Sequence, residues 1–508
     1  MFNRKISYGL AILSGILLLL SFPPFKFGGF LAWFALVPLL IALYYEKSLK
    51  RVGRLTFVSC LLGFFLMLVW LQSEFIFFLP ALISWPIGIG LSILTAALFS
   101  EFFRVYWRPK EFPTIKLQYL PSILQIFILP IVWSCFEFLI MNIPIVMKIG
   151  GGFGFLSIAK TQWLNPPILQ LASFTGMYGI TFLILLVNCA TAYAIVHYKE
   201  TKHISKQAIA VLLVFGIIFI GGWSSIPEPI LGDITIAIIQ APPSENVEDL
   251  YVNLSEYALK YDPQIIMWAP IGIEGSPVLS YTNFSKKHNV YLMDPLVSPD
   301  GETQSHDLAY HYFKTFDGVI PLNLSKIFPE IYPYETEFGK IGHLICQEGA
   351  WPFPTRKFVN NGAQIIATST VNYGLAFPGV FGGNAIYRAV EHRIPAALFI
   401  WSGAGSIIVD PYGRIVDDIA PEKEIVAGKI SLTEERTFYT KYGDIFGWVI
   451  VLLFIALNIY NFYLKRKSPV NYCVHCNAKL KKDVKTCDQC GKKADWGILR
   501  RLIEIIPP

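Results

Sequence analysis

Charged residues are scarce in this sequence. Asp, Glu, Lys and Arg make up 15% of the 508 residues, whereas 54% are hydrophobic; an ordinary soluble domain carries about 25% charged residues. The scarcity argues against a wholly soluble protein and predicts residence in a membrane. The net charge of +6 is small, and most of the basic residues lie beside apolar segments, so no nucleic-acid partner is expected.

A disulfide framework and a cleaved signal peptide are also missing. Of the eight cysteines, three lie in apolar runs, one is Cys346, and four are packed between Cys473 and Cys490. That distribution is not typical of a disulfide-stapled protein. The first apolar run, 8–22, follows two basic residues but has no small-residue cleavage site after it, so we expect a retained anchor. Neither sequence repeats nor low-complexity segments are evident.

Long apolar runs, in contrast, are abundant. A helix needs about 20 apolar residues to span the hydrocarbon core of a bilayer. Eight runs qualify as candidate spans, near 7–22, 29–45, 55–79, 82–103, 121–142, 168–196, 207–225 and 444–464. An even number of spans places both termini on the same side of the membrane.

The distribution of basic residues indicates which side of the membrane holds the termini. Lys and Arg cluster before the first span and in alternate connections, for example 47–54, 104–116, 199–206 and 465–467, while the other connections hold few. By the positive-inside rule the basic segments, and therefore both termini, are cytoplasmic. We expect a multi-pass inner-membrane protein whose long connection, 230–436, faces outward.

The composition changes within this long connection. Short β-rich runs such as 234–239 and 396–401 alternate with amphipathic helical stretches such as 247–261 and 378–393. This alternation predicts an α/β domain. We therefore expect transmembrane helices 1–7 in 1–229, the outer domain in 230–436, transmembrane helix 8 in 437–467, a cytoplasmic zinc ribbon in 468–495 and a tail in 496–508.

One cysteine of the outer domain is placed like a nucleophile. Cys346 ends a strand-like run that begins at Lys340, and Gln347-Glu348-Gly349 leads from it toward a helical stretch. A thiolate at a strand-to-helix turn can attack a carbonyl if a base or cation is near. A lone cysteine after an apolar strand is more often a small core residue, so the residues alone leave both interpretations open.

Four motifs support the catalytic interpretation. Ile345-Cys346-Gln347-Glu348 is similar to I-C-Y-E, and Arg388-Ala-Val-Glu391 with Pro395 is similar to R-A-x-E-x-x-x-P. In the apolar part, Phe22-Pro-Pro-Phe25 with Ala32-Trp33, and Gly176-Met-Tyr-Gly179 with Asn188, are further matches. Together, over about 8–464, these motifs resemble the bacterial apolipoprotein N-acyltransferases of the nitrilase superfamily. The resemblance implies a nitrilase-like α/β sandwich outside an eight-helix membrane domain.

The family's chemistry uses a Glu-Lys-Cys triad, and the resemblance carries over two of its members. Cys346 matches the nucleophile, and Lys326 matches the lysine if 326–333 is a shortened form of the family's motif; Lys340 is the competing lysine. The general base departs from the pattern, because Trp268-Ala269-Pro270 stands where the family has W-P-E. Proline has no proton-accepting side chain.

Other carboxylates are candidates to restore the base. Glu274 follows Pro270 by four residues and is assigned to the catalytic set, while Trp268, Glu330 and Glu348 are expected at the substrate because the matching family positions border the active site. Glu137 is an ionisable residue inside an apolar run. Such residues mark a function or a buried partner, so Glu137 is kept as either a lipid-site or a structural residue.

The carboxyl-terminal tail predicts a structural zinc ribbon. Cys473, Cys476, Cys487 and Cys490 form two C-x-x-C pairs separated by ten residues, and each pair is followed by Asn477 or Gly491, which tolerate a left-handed turn. Four thiolates hold zinc tetrahedrally, and disulfides are disfavoured in the cytoplasm. His475 is a possible but unnecessary ligand. The ribbon's cytoplasmic partner is not identified by the sequence.

The leading hypothesis is an N-acyltransferase that needs no catalytic cofactor. Cys346 takes an acyl chain from a phospholipid as a thioester and passes it to the α-amino group of a lipid-modified lipoprotein cysteine. The first alternative is a non-catalytic relative that binds lipid or lipoprotein and docks a partner through the ribbon, motivated by Pro270. The second is a different acyl transfer or amide hydrolysis, since the fold does not fix the substrate.

Overall fold

The computed structural model describes much of the chain, which divides into two compact units. The described residues are 3–23, 25, 27–46, 49–65, 122–142, 157–229, 232–240, 247–268, 278–293, 296–297, 303–304, 331–371, 377–401, 405–418, 424–467, 471–472, 479–480 and 486–491. The helical unit comprises 1–136, 181–217 and 446–508, and the sheet-bearing unit comprises 137–180 and 218–445.

Apolar helices dominate the first half of the chain. In order they are α1 (Arg4–Ser21), α2 (Val37–Tyr44), α3 (Leu49–Cys60), α4 (Ser122–Asn142), α5 (Pro166–Leu169), α6 (Ala172–Thr175), α7 (Met177–Thr201) and α8 (Lys206–Ser224). Short 3-10 helices cover Gly28–Trp33 and Ile158–Gln162, and a π-helical turn, Leu61–Phe65, extends α3.

Three of these helices, α1, α7 and α8, are long and apolar enough to cross a membrane. Gly28–Tyr44, Ile126–Asn142 and Ile445–Tyr460 are shorter apolar helical stretches. Most of the predicted spans 55–79 and 82–103 lies outside the described residues, so the count of eight spans stays a prediction.

The predicted span 168–196 begins later than the sequence pattern indicates. Gly176, at φ +63°, separates α6 from α7, and a Cβ at this position would lie 2.7 Å from the ring of Tyr439. A left-handed residue in close contact with an aromatic ring requires glycine. The continuous helix therefore starts at Met177.

The exposed surface of α8 is apolar. Leu213, Ile217, Ile220 and Trp223 are each 63–69% exposed. A helix face with this apolar exposure fits contact with the hydrocarbon of a membrane.

Asn188 of α7 joins two of the motifs within the helical unit. Its amide nitrogen donates to the carbonyl oxygens of Ala32 (2.8 Å) and Ile184 (2.9 Å), and its oxygen accepts from the Leu36 N–H (2.9 Å). The side chain is fully buried. A buried amide is stable only when its hydrogen bonds are made, so Asn188 fixes the 3-10 segment against α7.

The sheet-bearing unit contains most of the strands. They are β1 (Ile234–Ile239), β2 (Ile265–Met267), β3 (Tyr291–Met293), β4 (Leu296–Val297), β5 (Thr303–Gln304), β6 (Tyr334–Thr336), β7 (Gly339–Ile345), β8 (Ile365–Val371), β9 (Ala396–Trp401), β10 (Ile407–Val409), β11 (Ile415–Asp418) and β12 (Ile425–Ile430). Its further helices are α9 (Val247–Ala258), α10 (Val278–His288), α11 (Pro352–Asn360), α12 (Phe377–His392) and α13 (Phe438–Tyr442), and Cys346–Ala350 forms a 3-10 helix.

These strands form two six-stranded sheets, ordered β12-β1-β2-β3-β4-β5 and β11-β10-β9-β8-β7-β6. Parallel pairing joins β1-β2-β3 in one sheet and β7-β8-β9 in the other, and antiparallel strands flank both. Apolar residues of both sheets, such as Ile238 and Phe399, share one buried cluster. Strands buried on both faces read as continuous apolar runs. The predicted α/β sandwich is thus confirmed.

The helical unit ends with α14 (Ile445–Lys467) and a two-residue antiparallel pair, β13 (Asn471–Tyr472) and β14 (Lys479–Leu480). This pair brackets the first C-x-x-C of the tail.

Candidate functional site

Cys346 lies where a parallel strand gives way to a helical turn. The strand β7 ends at Ile345, and the 3-10 helix that starts at Cys346 leads into α11, with the Trp351 N–H donating to the Glu348 carbonyl oxygen (3.2 Å). The carboxyl ends of parallel strands are where α/β proteins build their sites. The sequence prediction for the backbone around Cys346 is confirmed.

A buried carboxyl group accompanies this turn. Glu348, two residues after Cys346, is 5% exposed. The turn lies close to the neighbouring strand, because a Cβ on Gly349 would come within 3.3 Å of the Thr368 Cγ2 atom. The carboxyl group of Glu348 is therefore shielded from water, as the proton-transfer groups of active sites often are.

Hydrogen bonding also fixes the strands that carry the turn. His343 of β7 and Ser369 of β8 are both buried, and the His343 Nε2 and Ser369 Oγ atoms are 3.0 Å apart. Thr368 and Thr370 add further buried hydroxyl groups on β8. This contact, together with the parallel pairing of Ile341–Ile345 with β8, holds the end of β7 beside β8.

Trp268 occupies the core. Its side chain is 3% exposed, its indole N–H donates to Ser255 Oγ (2.9 Å), and its ring lies 5.9 Å from that of Tyr251 and 6.4 Å from that of Phe284. Its expected role at the substrate stays a prediction; in the structure it packs α9 and α10 on β2.

Lys340 is poorly placed to serve as the catalytic lysine. Its amino group pairs with Glu335 Oε1 at 2.6 Å, with 44% and 74% of the two side chains exposed. Lys340 lies near the amino end of β7, about 20 Å from Cys346 at about 3.3 Å per strand residue. The assignment of Lys326 stays a prediction.

Several predicted site residues lie outside the described part of the chain, namely Lys326, Glu274, Glu330, Cys473 and Cys476. The second cysteine pair of the tail is described. Cys487 is 2% exposed, and the Gly491 N–H donates to its carbonyl oxygen (2.8 Å) across a turn that Gly491 closes at φ +66°. The left-handed glycine expected after a cysteine knuckle is therefore present.

Glu137 is largely buried near the carboxyl end of α4. It is 9% exposed and accepts a hydrogen bond from the Ser157 hydroxyl group. The contact connects the end of an apolar helix with the segment that follows it in the described chain, as expected for a carboxylate with a buried partner.

The R-A-x-E motif forms a buried ion pair. Arg388 and Glu391, 1% and 0% exposed, face each other one turn apart on α12, with Arg388 Nη1 3.0 Å from Glu391 Oε2. Glu391 Oε1 also accepts from Arg388 Nη2 (3.3 Å) and from the Met177 N–H (3.2 Å). Burial raises the pKa of Glu391 from 4.5 to about 7, while Arg388 and Lys160 act in the opposite direction.

Lys160 and Asn384 belong to the same cluster and were missed by the sequence analysis. Lys160 is 2% exposed, and its amino group donates to Asn384 Oδ1. The signal in the sequence was a lysine inside the otherwise uncharged run 149–195. A single lysine in an outward connection does not by itself indicate burial or a partner.

Comparisons with known proteins cover both units. The family model described as "Apolipoprotein N-acyltransferase N-terminal domain" matches residues 14–190, and that described as "Carbon-nitrogen hydrolase" matches 210–438. The chain is 27% identical to the apolipoprotein N-acyltransferase of Geobacter metallireducens, covering 87% of this chain and 93% of that one. It is 25% identical to the apolipoprotein N-acyltransferase of Thermotoga maritima, over 89% and 93%.

Among solved structures, a carbon-nitrogen hydrolase from Helicobacter pylori aligns with 46% of this chain and 98% of its own, at 16% identity and a TM-score of 0.29.

The ionisation of Glu391 predicts a pH dependence of stability. Between pH 4.5 and about 7 the folded protein holds a proton on Glu391 that the unfolded chain has released. The free energy of unfolding therefore falls as pH rises through this window. Thermal unfolding in detergent from pH 4.5 to 8 should show this decline in wild type and a weaker one in Glu391→Gln. The exposed Glu335→Gln variant is the matched control and should keep the wild-type slope; equal slopes in all three would contradict the assignment.

Proposed function

Because the chain belongs to the apolipoprotein N-acyltransferase family, enzymes of the nitrilase superfamily, we propose that it transfers a fatty acyl chain from a phospholipid to the α-amino group of the lipid-modified N-terminal cysteine of a lipoprotein. The observation that carries the proposal is that the N-terminal family domain and the hydrolase domain match in sequence along one chain, over 93% of the length of two relatives with that name. A cysteine at the end of β7 supplies the chemistry.

The reaction runs in two half-reactions. In the first, the Cys346 thiol gives its proton to a carboxylate base, the sulfur attacks the ester carbonyl, and the ester C–O bond breaks as the lysophospholipid oxygen takes the proton. In the second, the lipoprotein amine attacks the thioester, an amide forms, and the sulfur leaves as thiol with the proton that the base relays. Lys326 orients the reacting groups and stabilises the oxyanion.

The general base is the point at which this chain diverges from its family, because Pro270 stands at the family's position. We assign the role to Glu274, the carboxylate that follows it most closely, with Glu330 and Glu348 bordering the substrate. The burial of Glu348 beside the Cys346 turn supports a carboxyl group close to the reacting atoms. Trp268 and Glu137 are the further residues that we assign to the substrate region.

The membrane part would deliver both lipid-bearing substrates. We propose eight spans, both termini in the cytoplasm and the hydrolase-like domain of 230–436 on the outer face of the inner membrane. Apolar exposed helices such as α8 support entry of acyl chains sideways from the bilayer. Keeping water away from Cys346 would protect the thioester from hydrolysis.

The tail is proposed to hold a structural zinc ion. Two C-x-x-C pairs supply the donors: Cys473 and Cys476 between β13 and β14, and Cys487 and Cys490 around the turn that Gly491 closes. Four thiolates would close the coordination shell and leave no position for catalysis. The ribbon would therefore serve stability or the docking of a cytoplasmic partner, and the acyl transfer itself needs no cofactor.

The thioester half-reaction can be observed directly. Detergent-purified protein incubated with phospholipid should gain the mass of one acyl chain, removable by hydroxylamine, and Cys346→Ala should not gain it because the attacking sulfur is gone. The measurement is intact-mass spectrometry of both proteins. No adduct on folded, lipid-bound wild type would favour the non-catalytic relative, and an adduct that releases free acid without amine transfer would favour hydrolysis.

Substitution of the three carboxylates identifies the base. Glu274→Gln should slow adduct formation by about 10²–10⁴-fold, the usual contribution of a general base, whereas Glu330→Gln and Glu348→Gln should have smaller effects. The readout is the rate of adduct formation, measured by mass spectrometry of samples that are quenched at successive times. The assignment of Glu274 would be wrong if its variant acylated at the wild-type rate while one of the other two did not.

Metal analysis tests the ribbon. Elemental analysis of the full chain should find one zinc ion per molecule, and Cys487→Ser should lower this ratio because a thiolate ligand is lost. Acylation of Cys346 is the control and should persist in the variant, since the zinc site takes no part in the chemistry. Zinc-free wild-type protein with intact folding would refute the site.

A further inference from the structure

The lysine missed by the sequence analysis lies in an unusual place for a cation. Lys160 belongs to the 3-10 helix Ile158–Gln162, all five residues of which are buried. Burial, and then Arg388, lower the pKa of Lys160 well below its ordinary value, while Glu391 and Glu137 act to keep it protonated. A buried ammonium is costly to fold around unless it is hydrogen-bonded and has compensating charge nearby. Asn384 supplies the hydrogen bond, and Glu391 and Glu137 supply the opposite charge.

Two residues of α12 hold the Lys160 segment. Asn384 Oδ1 accepts a hydrogen bond from the amino group, which also lies 5.0 Å from the centroid of the Tyr387 ring. The Tyr387 hydroxyl group in turn donates to the carbonyl oxygen of Ala159. Contacts thus run in both directions between one face of α12 and the 3-10 helix.

The backbone of α12 comes close to the same segment. A Cβ added to Gly383 would lie 3.3 Å from the Cβ of Trp163, and one added to Gly382 would lie 3.2 Å from Ile407 Cδ1. Paired glycines let a helix approach its neighbours closely. The position of α12 is therefore set jointly by the 3-10 segment and by β10.

The helix α12 also packs against the turn that starts at Cys346, and against β8 and β9. A shift of α12 would be transmitted to the turn, because close-packed interiors pass displacements on instead of absorbing them. Displacing a reacting group by about 1 Å can cost about 100-fold in rate. Lys160 is thus connected to the nucleophile through one helix.

We propose that Lys160 is a positioning residue for acylation of Cys346: its amino group fixes α12 to the 158–163 segment and thereby sets the placement of the Cys346 turn. The proposal rests on the proposed function, since it concerns the rate of thioester formation. Asn384 is its partner in this role.

The alternative is that Lys160 only stabilises the fold. The stability and the acylation rate of substituted proteins distinguish this role from a positioning role. When Lys160 is replaced, Glu391 stays paired with Arg388 and Glu137 keeps its hydrogen bond from Ser157. No carboxylate is left without a partner, and the cost of burying a cation is removed. Lys160→Met should therefore stay folded, and the double variant Lys160→Met/Asn384→Leu should be at least as stable because it also removes the unpaired amide. A positioning role predicts slow acylation in both.

The experiment uses the full chain in detergent with phospholipid as the acyl donor. The initial rate of adduct formation on Cys346 is followed by intact-mass spectrometry over a range of phospholipid concentrations, together with the unfolding temperature. We expect Lys160→Met and the double variant to lose at least 10-fold in maximal rate, with the half-saturating phospholipid concentration and unfolding temperature within error of wild type. Lys160→Arg, which keeps the charge, should recover part of the rate.

Lys287→Met is the matched control, because this exposed lysine pairs only with exposed Glu256 at 3.4 Å among the described residues; it should acylate like wild type. A wild-type rate per folded molecule in Lys160→Met overturns the proposal, whatever the unfolding temperature, as does recovery of the rate in the double variant. If the proposed function itself is wrong, wild-type protein forms no adduct, which distinguishes this outcome from a wild-type rate in Lys160→Met. The positioning role would then also be wrong.

Discussion

The buried ion pair between Arg388 and Glu391 is the interaction on which the arrangement of the sheet-bearing unit depends. Both groups are almost completely shielded from water, so each would be left as an uncompensated charge without the other, at a cost of about 3–5 kcal/mol. Because Glu391 also accepts from the Met177 N–H, the pair fixes α12 against the start of α7. The R-A-x-E motif is explained by this geometry instead of by a chemical step.

From α12 the packing extends to the turn at Cys346, the proposed nucleophile. The helix packs on β8, β9 and the Cys346 turn, and the end of β7 is held by the contact between His343 and Ser369. In the proposed reaction, these contacts would define where the acyl group meets the Cys346 sulfur. Preorganisation of this kind is what positioning contributes to catalysis.

Much of the fold could be predicted from the sequence. The strand runs 234–239 and 396–401 have the predicted bounds, since strands buried on both faces are continuous apolar runs. The helix of 378–393 differs by one residue at each end, because helix ends fray and depend on caps. The break before Met177 was missed, because an apolar run does not reveal that Gly176 lies against the ring of Tyr439.

By itself the sequence determined the resemblance to the family, the position of Cys346 at a strand end, the presence of Pro270 after Trp268-Ala269 and the cysteine spacing of the tail, because these are local patterns of residue type. Only the tertiary structure decided that Lys340 is tied to Glu335 far from Cys346, and that Lys160 is buried against α12. Burial and pairing arise between residues more than 200 positions apart in the second case, and a local pattern carries no record of such contacts.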